Sequence, residues 1–163
     1  MAGFRGRVLV VDDHKQTRLK MTLAVRNLGH DVEEAPDGAA ALGRLAQGGI
    51  DMVVLDIVMP GMDGFQVLQA MKADTALRDV PVIVISSLEE MDDVVKAIEL
   101  GAEDFLPKSF DIVLLRARIN AGLERKRLRD KELEYLRQVD RLASASRMVE
   151  GKGFDPSRLG LDD

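Results

Sequence analysis

Short apolar runs alternate with stretches of helical spacing along most of the chain. The runs are "RVLVV" (7–11), "DVEEA" (31–35), "DMVVL" (51–55), "VPVIVIS" (80–86) and "DFLP" (104–107). After each of the first four, apolar residues recur at helical intervals: Leu19, Leu23 and Leu28; Ala41, Leu42 and Leu45; Val67, Leu68 and Met71; Val94, Val95 and Ile98. Gly29, Gly48-Gly49 and Gly101 stand where those helices should stop, and "PDG" at 36–38 marks a strand-to-helix turn. Regular β/α alternation predicts an α/β fold, a (βα)5 doubly wound parallel sheet with helices on both faces. The first, third and fourth runs are nearly all apolar, as central strands buried on both sides should be. The second alternates and carries Glu33 and Glu34, the pattern of an edge strand.

In such sheets ligands bind beyond the carboxyl ends of the strands, where the strand order reverses. The residues at those ends carry chemistry. The first strand ends in Asp12 and Asp13, the third in Asp56, the fourth in Ser86 and Ser87, the fifth in Lys108. Two adjacent carboxylates at the end of a buried run repel each other and are costly to desolvate without a counter-charge. A cluster of oxygen donors with no thiolate or histidine suits a hard divalent cation, Mg²⁺ first. Lys108 adds a second positive charge, Ser86 a hydrogen-bond donor, and Asp56 is the candidate nucleophile toward phosphorus. His14 reads as a solvated residue at a helix start rather than a ligand, and the methionines, Met52, Met59 and Met71 among them, as core filler.

Composition narrows the rest. At 163 residues there is room for one domain with a real core plus an appendage. No cysteine is present, which removes disulfides and thiolate metal sites. No apolar run approaches membrane-spanning length and no signal-peptide pattern opens the chain, so a cytoplasmic protein is expected. Residues 1–110 carry 11 basic and 18 acidic side chains (net −7), whereas 111–149 carry 10 and 6 (net +4) and 150–163 carry 2 and 4 (net −2). That shift marks an organisational break near residue 110.

"VLVVDD", "VVLDIVMPGMDG", "VIVISS" and "DFLPK" together resemble the receiver domains of two-component response regulators in order and spacing. The resemblance covers about residues 6–122 and implies a flavodoxin-like sheet of order 2-1-3-4-5. It implies that Asp56 accepts a phosphoryl group from a histidine kinase or histidine phosphotransfer protein. Asp13, Asp56 and the backbone carbonyl of Val58 would ligate Mg²⁺, with Asp12 acting through water. Ser86 and Lys108 would hold the phosphoryl group, and Phe105 would be the switch aromatic. The family usually places a cis-proline after the lysine, but Ser109 follows here. A cis bond before a non-proline residue costs about 2.5–4 kcal/mol, which favours a trans Lys108–Ser109 bond. A haloacid dehalogenase-type phosphatase would need Asp-x-Asp after the first strand, which the adjacent Asp12-Asp13 does not supply. No activity is therefore expected beyond the chain's own phosphotransfer and dephosphorylation.

From Asp111, a candidate N-cap, to about Val149 no proline occurs and only Gly122 interrupts a helical pattern. Leu128, Tyr135, Leu142 and Val149 recur every seven residues with Glu132, Val139 and Ser146 between them, a coiled-coil seam that predicts a homodimer. The expected organisation is a receiver at 1–122, a helical extension at 123–149 and a flexible tail or truncated linker at 150–163. The run "ERKRLRDK" (124–131) resembles a basic zipper, but its mixed charges suit a solvated face and nucleic acid is not expected as a partner. The stretch "VDRLASASRMVEGKGFDPSRLGLDD" resembles the first helix and connector of a HAMP-type relay. It implies a C-terminal output domain, such as a nucleotide cyclase, outside this chain. The rival reading is a constitutive receiver-like dimerisation scaffold that is not regulated by phosphorylation.

Overall fold

The computed structural model describes residues 5–87 and 91–151, the side chains of 149–151 excepted. In chain order the elements are β1 (Arg7–Val11), α1 (Lys15–Asn27), β2 (Asp31–Ala35), α2 (Gly38–Ala46), β3 (Met52–Asp56), α3 (Gly64–Ala73), β4 (Val82–Ser86), α4 (Met91–Glu99), β5 (Asp104–Pro107) and α5 (Ile112–Gly151). The strands pair in parallel in the order β2-β1-β3-β4-β5, the expected flavodoxin-like topology.

Because side chains alternate faces along a strand, each apolar run supplies both layers at once. Leu9, Val11, Val53, Leu55, Val82 and Val84 form one layer with Ala41 and Leu45 of α2, Val67, Leu68 and Met71 of α3, and Val94 and Ala97 of α4. Val8, Val10, Val54, Ile83, Ile85 and Leu106 form the other with Met21 and Val25 of α1 and Leu115, Ile119 and Leu123 of α5. Burying each of the Val, Leu, Ile and Met side chains among them contributes about 1.5–3 kcal/mol. Met52, Met59 and Met71 all lie in these layers, as expected of filler.

Two helix faces differ from the sequence reading. On α1 it is Met21 and Val25 that are buried, whereas Leu19 and Leu23 are about half exposed. Met21, Val25 and Leu28 are spaced four and three apart, closer to the helical repeat than Leu19, Leu23 and Leu28. On α4, Val94 and Ala97 face inward while Val95 and Ile98 face solvent.

The outer strand β2 is lined with ion pairs. Glu33 takes two hydrogen bonds from Arg44, both 2.8 Å, Glu34 pairs with Arg18 at 3.2 Å, and Asp31 with Arg5 at 2.6 Å. Charged side chains on an outer strand obstruct pairing with a foreign strand.

The chain divides into two compact units, Met1–Arg127 and Leu128–Asp163. In the first, Asp111 accepts a 2.7 Å hydrogen bond from the Val113 N–H, consistent with its capping position. Arg125 of the basic run pairs with Glu103 at 3.0 Å, and Arg127 with Glu124 one turn away. Gly122, an apparent interruption, is where the helix meets the sheet: a Cβ there would collide with Met52. In the second unit Leu128, Tyr135, Leu136, Val139 and Leu142 are exposed. The side chain of Val149, most of the expected 150–163 tail and most of the HAMP-like connector lie outside the described residues. No helix among the described residues is long and apolar enough to cross a membrane.

Gly64 opens α3 with no space for a side chain, since a Cβ would lie 2.5 Å from the Asp56 carbonyl oxygen and 2.7 Å from Ile57 Cα. Gly64→Ala should lower stability by about 2–3 kcal/mol, because neither backbone atom can yield without displacing Asp56. Gly43, exposed within α2 with nothing near its Cβ position, is the control. Gly43→Ala should instead add about 0.5–1 kcal/mol, both read from urea midpoints at unchanged slope.

Candidate functional site

The carboxyl ends of β1, β3, β4 and β5 converge, as the topology requires where the strand order reverses between β1 and β3. Asp12 follows β1 directly and is fully buried. Its main chain is held on both sides: its N–H donates to the Ala35 carbonyl at 3.2 Å, and its carbonyl accepts from Arg18 Nη1 at 2.7 Å. Its Oδ1 accepts the His14 N–H at 2.8 Å. Its Oδ2 is buried with no hydrogen-bond partner.

Asp56, the last residue of β3, is also fully buried. Its Oδ1 accepts the Val58 N–H at 3.3 Å and lies 3.4 Å from Lys108 Nζ, while its Oδ2 has no hydrogen-bond partner. Burial, and then the neighbouring Asp12 charge, push the Asp56 carboxyl up from 3.8 to about 7, against the opposing pull of Lys108 and the Val58 N–H. Buried orphan carboxylate oxygens of this kind are uncommon in proteins and mark a place for a cation or a reacting group. One ligand atom each from Asp12, Asp13, His14 and Asp56 lies within 4.8 Å of all the others.

Lys108 reaches Asp56 because β5 extends the β4 ladder by one residue: Ser86 is in register with Pro107, and the Lys108 N–H donates to the Ser86 carbonyl at 2.9 Å. No cis peptide occurs among the described residues, so the Lys108–Ser109 bond is trans. Ser86 is buried at the end of β4, where its Oγ donates to the Ser87 carbonyl at 2.8 Å. Phe105 is half-buried on the outer strand β5, beside Val84 and against the α2–α3–α4 layer. Val58 lies two residues beyond Asp56 and is half exposed.

Asp12, Asp13, Asp56 and Lys108 thus come together as read from the sequence, with Ser86 at the next strand end. Sequence reasoning missed Arg18, only 14% exposed, which bridges the Asp12 carbonyl and Glu34. Its signal was weak, since a charge one turn into a helix ordinarily faces solvent. It also missed how near the His14 ring comes to the carboxylates, with Nδ1 3.3 Å from Asp13 Oδ1, although the side chain is solvated and starts α1 as expected.

A family profile described as the response regulator receiver domain matches residues 8–120. The chain is similar to the response regulator PleD of Caulobacter vibrioides, 36% identical over 151 residues that cover 90% of this chain and 33% of that protein. It is also similar to the transcriptional regulatory protein PrrA of Mycobacterium tuberculosis, 42% identical over 120 residues, 74% of this chain and 51% of that one. Among solved structures, NtrX from Brucella abortus aligns with a TM-score of 0.75 at 28% identity, over 81% of this chain and 30% of that one. The chain spans between about a third and about half the length of these curated relatives.

Because Asp56 holds its proton more tightly folded than unfolded, its contribution to stability is fully present below about pH 4 and is lost as pH rises toward about 7. In chelator, unfolding free energy should therefore fall by on the order of 3 kcal/mol between pH 4 and 8. Asp56→Asn should remove most of that slope and be the more stable protein at pH 8, as denaturation across a pH series will read.

Proposed function

Given that the chain belongs to the response regulator receiver domain family, we propose that Asp56 accepts a phosphoryl group from a histidine kinase or histidine phosphotransfer protein. The observation that carries this reading is the fully buried Asp56 carboxylate, one oxygen turned to Lys108 and the other without a hydrogen-bond partner. A carboxylate oxygen of Asp56 attacks phosphorus as the bond to the histidine nitrogen breaks, and the released imidazole takes a proton from solvent. Lys108 meets the charge on the phosphoryl oxygens, and Ser86 donates its hydroxyl to another. Catalysis is then mostly positioning and charge neutralisation, and is limited to the chain's own phosphotransfer and dephosphorylation.

The residues present fit Mg²⁺: Asp13 and Asp56, the Val58 carbonyl, and Asp12 through water, with the orphan oxygens of Asp12 and Asp56 nearest the need. Bound there, the ion supplies charge neutralisation to the carboxylates and to incoming phosphoryl oxygens.

The phosphoryl group carries roughly 1.5–2 negative charges in place of the single charge of the Asp56 carboxylate, and moves them outward onto three oxygens. As Ser86 and Lys108 turn to the new oxygens, Phe105 and the β5 edge shift between two packings and bias α5. The signal leaves through residues 123–149, where exposed Leu128, Tyr135, Val139 and Leu142 pair with a second copy, Val149 continuing the seam. Residues 1–122 are the receiver and 150–163 a linker toward an output domain, the whole working in the cytoplasm. A coupling of about 1–3 kcal/mol would change dimer affinity several-fold or more.

Sedimentation equilibrium with Mg²⁺, with and without beryllofluoride, tests this. Dimer affinity should change about 5- to 100-fold in the wild-type chain and not in Asp56→Asn. Beryllofluoride that binds without changing self-association would remove the relay through α5, and failure to bind would leave a constitutive scaffold. Val139→Glu should abolish the dimer in either state, since it places like charges across the seam.

A further inference from the structure

The acidic rim has an imidazole nitrogen beside it. Resting on the metal site proposed above, we propose that His14 Nδ1 joins the carboxylates of that site as a ligand, so that divalent transition ions are preferred over Mg²⁺.

His14 stands at the N-cap of α1 in an extended conformation, and its own N–H is tied to Asp12 Oδ1. That bond fixes the backbone of His14 at the rim. Its Nδ1 lies 3.3 Å from Asp13 Oδ1 and 3.7 Å from Asp12 Oδ1. Around an octahedral ion with ligands at about 2.1 Å, neighbouring ligand atoms stand about 3.0 Å apart and opposite ones about 4.2 Å. The four atoms here, all within 4.8 Å of one another, need only small movements to meet that pattern. The ring is two-thirds exposed and free to make them.

The orphan oxygens of Asp12 and Asp56 call for a cation independently of the histidine. The donor set then decides which one. Carboxylate and water serve Mg²⁺ and Mn²⁺ alike, but an imidazole nitrogen favours the transition ions, while Mg²⁺ retains water in that position. The sequence holds two histidines. His30 is buried at the opposite end of β1, where its Nδ1 accepts the Gly6 N–H, so it does not compete.

The test uses the full chain stripped of metal, with Mn²⁺ alone as the probe. Electron spin-echo envelope modulation of bound Mn²⁺ should show coupling to an imidazole nitrogen in the wild type and lose it in His14→Gln, with His30 present in both as an internal control. Competition titration should show the Mn²⁺-over-Mg²⁺ preference falling about tenfold in the variant. His14→Asn, which supplies a favoured N-cap side chain where His14 makes no capping hydrogen bond, should lose the nitrogen signal too and guards against a folding defect in the first variant. Mn²⁺ bound without nitrogen coupling, or an unchanged preference, would overturn the role of His14 and leave the acidic site standing. If neither ion binds the wild-type chain, the acidic site itself is wrong.

Discussion

Two carboxylates buried side by side at the ends of two central strands set the terms for the rest of this structure. Asp12 and Asp56 are both fully buried, and each keeps one oxygen that the protein does not satisfy. Desolvation and mutual repulsion make the ionised pair costly, which is why Asp56 sits near 7 rather than in the usual carboxylate range. The protein offsets part of that cost with Lys108 and the Val58 N–H and leaves one oxygen of each carboxylate without a hydrogen-bond partner. Stability is given up where chemistry is to happen.

What keeps so unfavourable an arrangement from relaxing is the rigidity around it. Asp12 is held through both main-chain groups, by Ala35 and by Arg18, and Gly64 lets the β3–α3 connection close so tightly over Asp56 that no Cβ fits. The apolar layers on both faces of the sheet anchor every strand that ends at the site. A carboxylate that cannot swing out to water must be answered in place.

Lys108 ties the site to the edge of the sheet and, through it, to α5. Lys108 is carried by β5, an outer strand with one neighbour, and its N–H is bonded to Ser86 at the end of β4. Arg118 and Arg125 of α5 bridge back to Asp104 and Glu103 at 2.9 and 3.0 Å. Asp56 is thus linked to α5 by one lysine, one strand and two ion pairs.

The sequence by itself determined a parallel sheet and the acidic rim, and its resemblance to receiver domains supplied the strand order. Three apolar runs dense enough for two-faced burial, alternating with helical stretches, require a parallel sheet covered on both faces, and a parallel sheet brings its carboxyl ends together whatever the details of packing. Asp12, Asp13, Asp56 and Lys108 were legible because chemistry at strand ends follows from topology. Only the tertiary structure decided which helix faces turn inward, since Leu19 and Met21 are equally apolar and the docking angle of α1 chooses between them. It also decided that Gly122 is a contact with Met52 rather than a break, that Arg18 props Asp12, and that the His14 ring lies over the carboxylates. Each of these depends on distances between residues far apart in the chain or on the direction of a side chain, and periodicity carries neither.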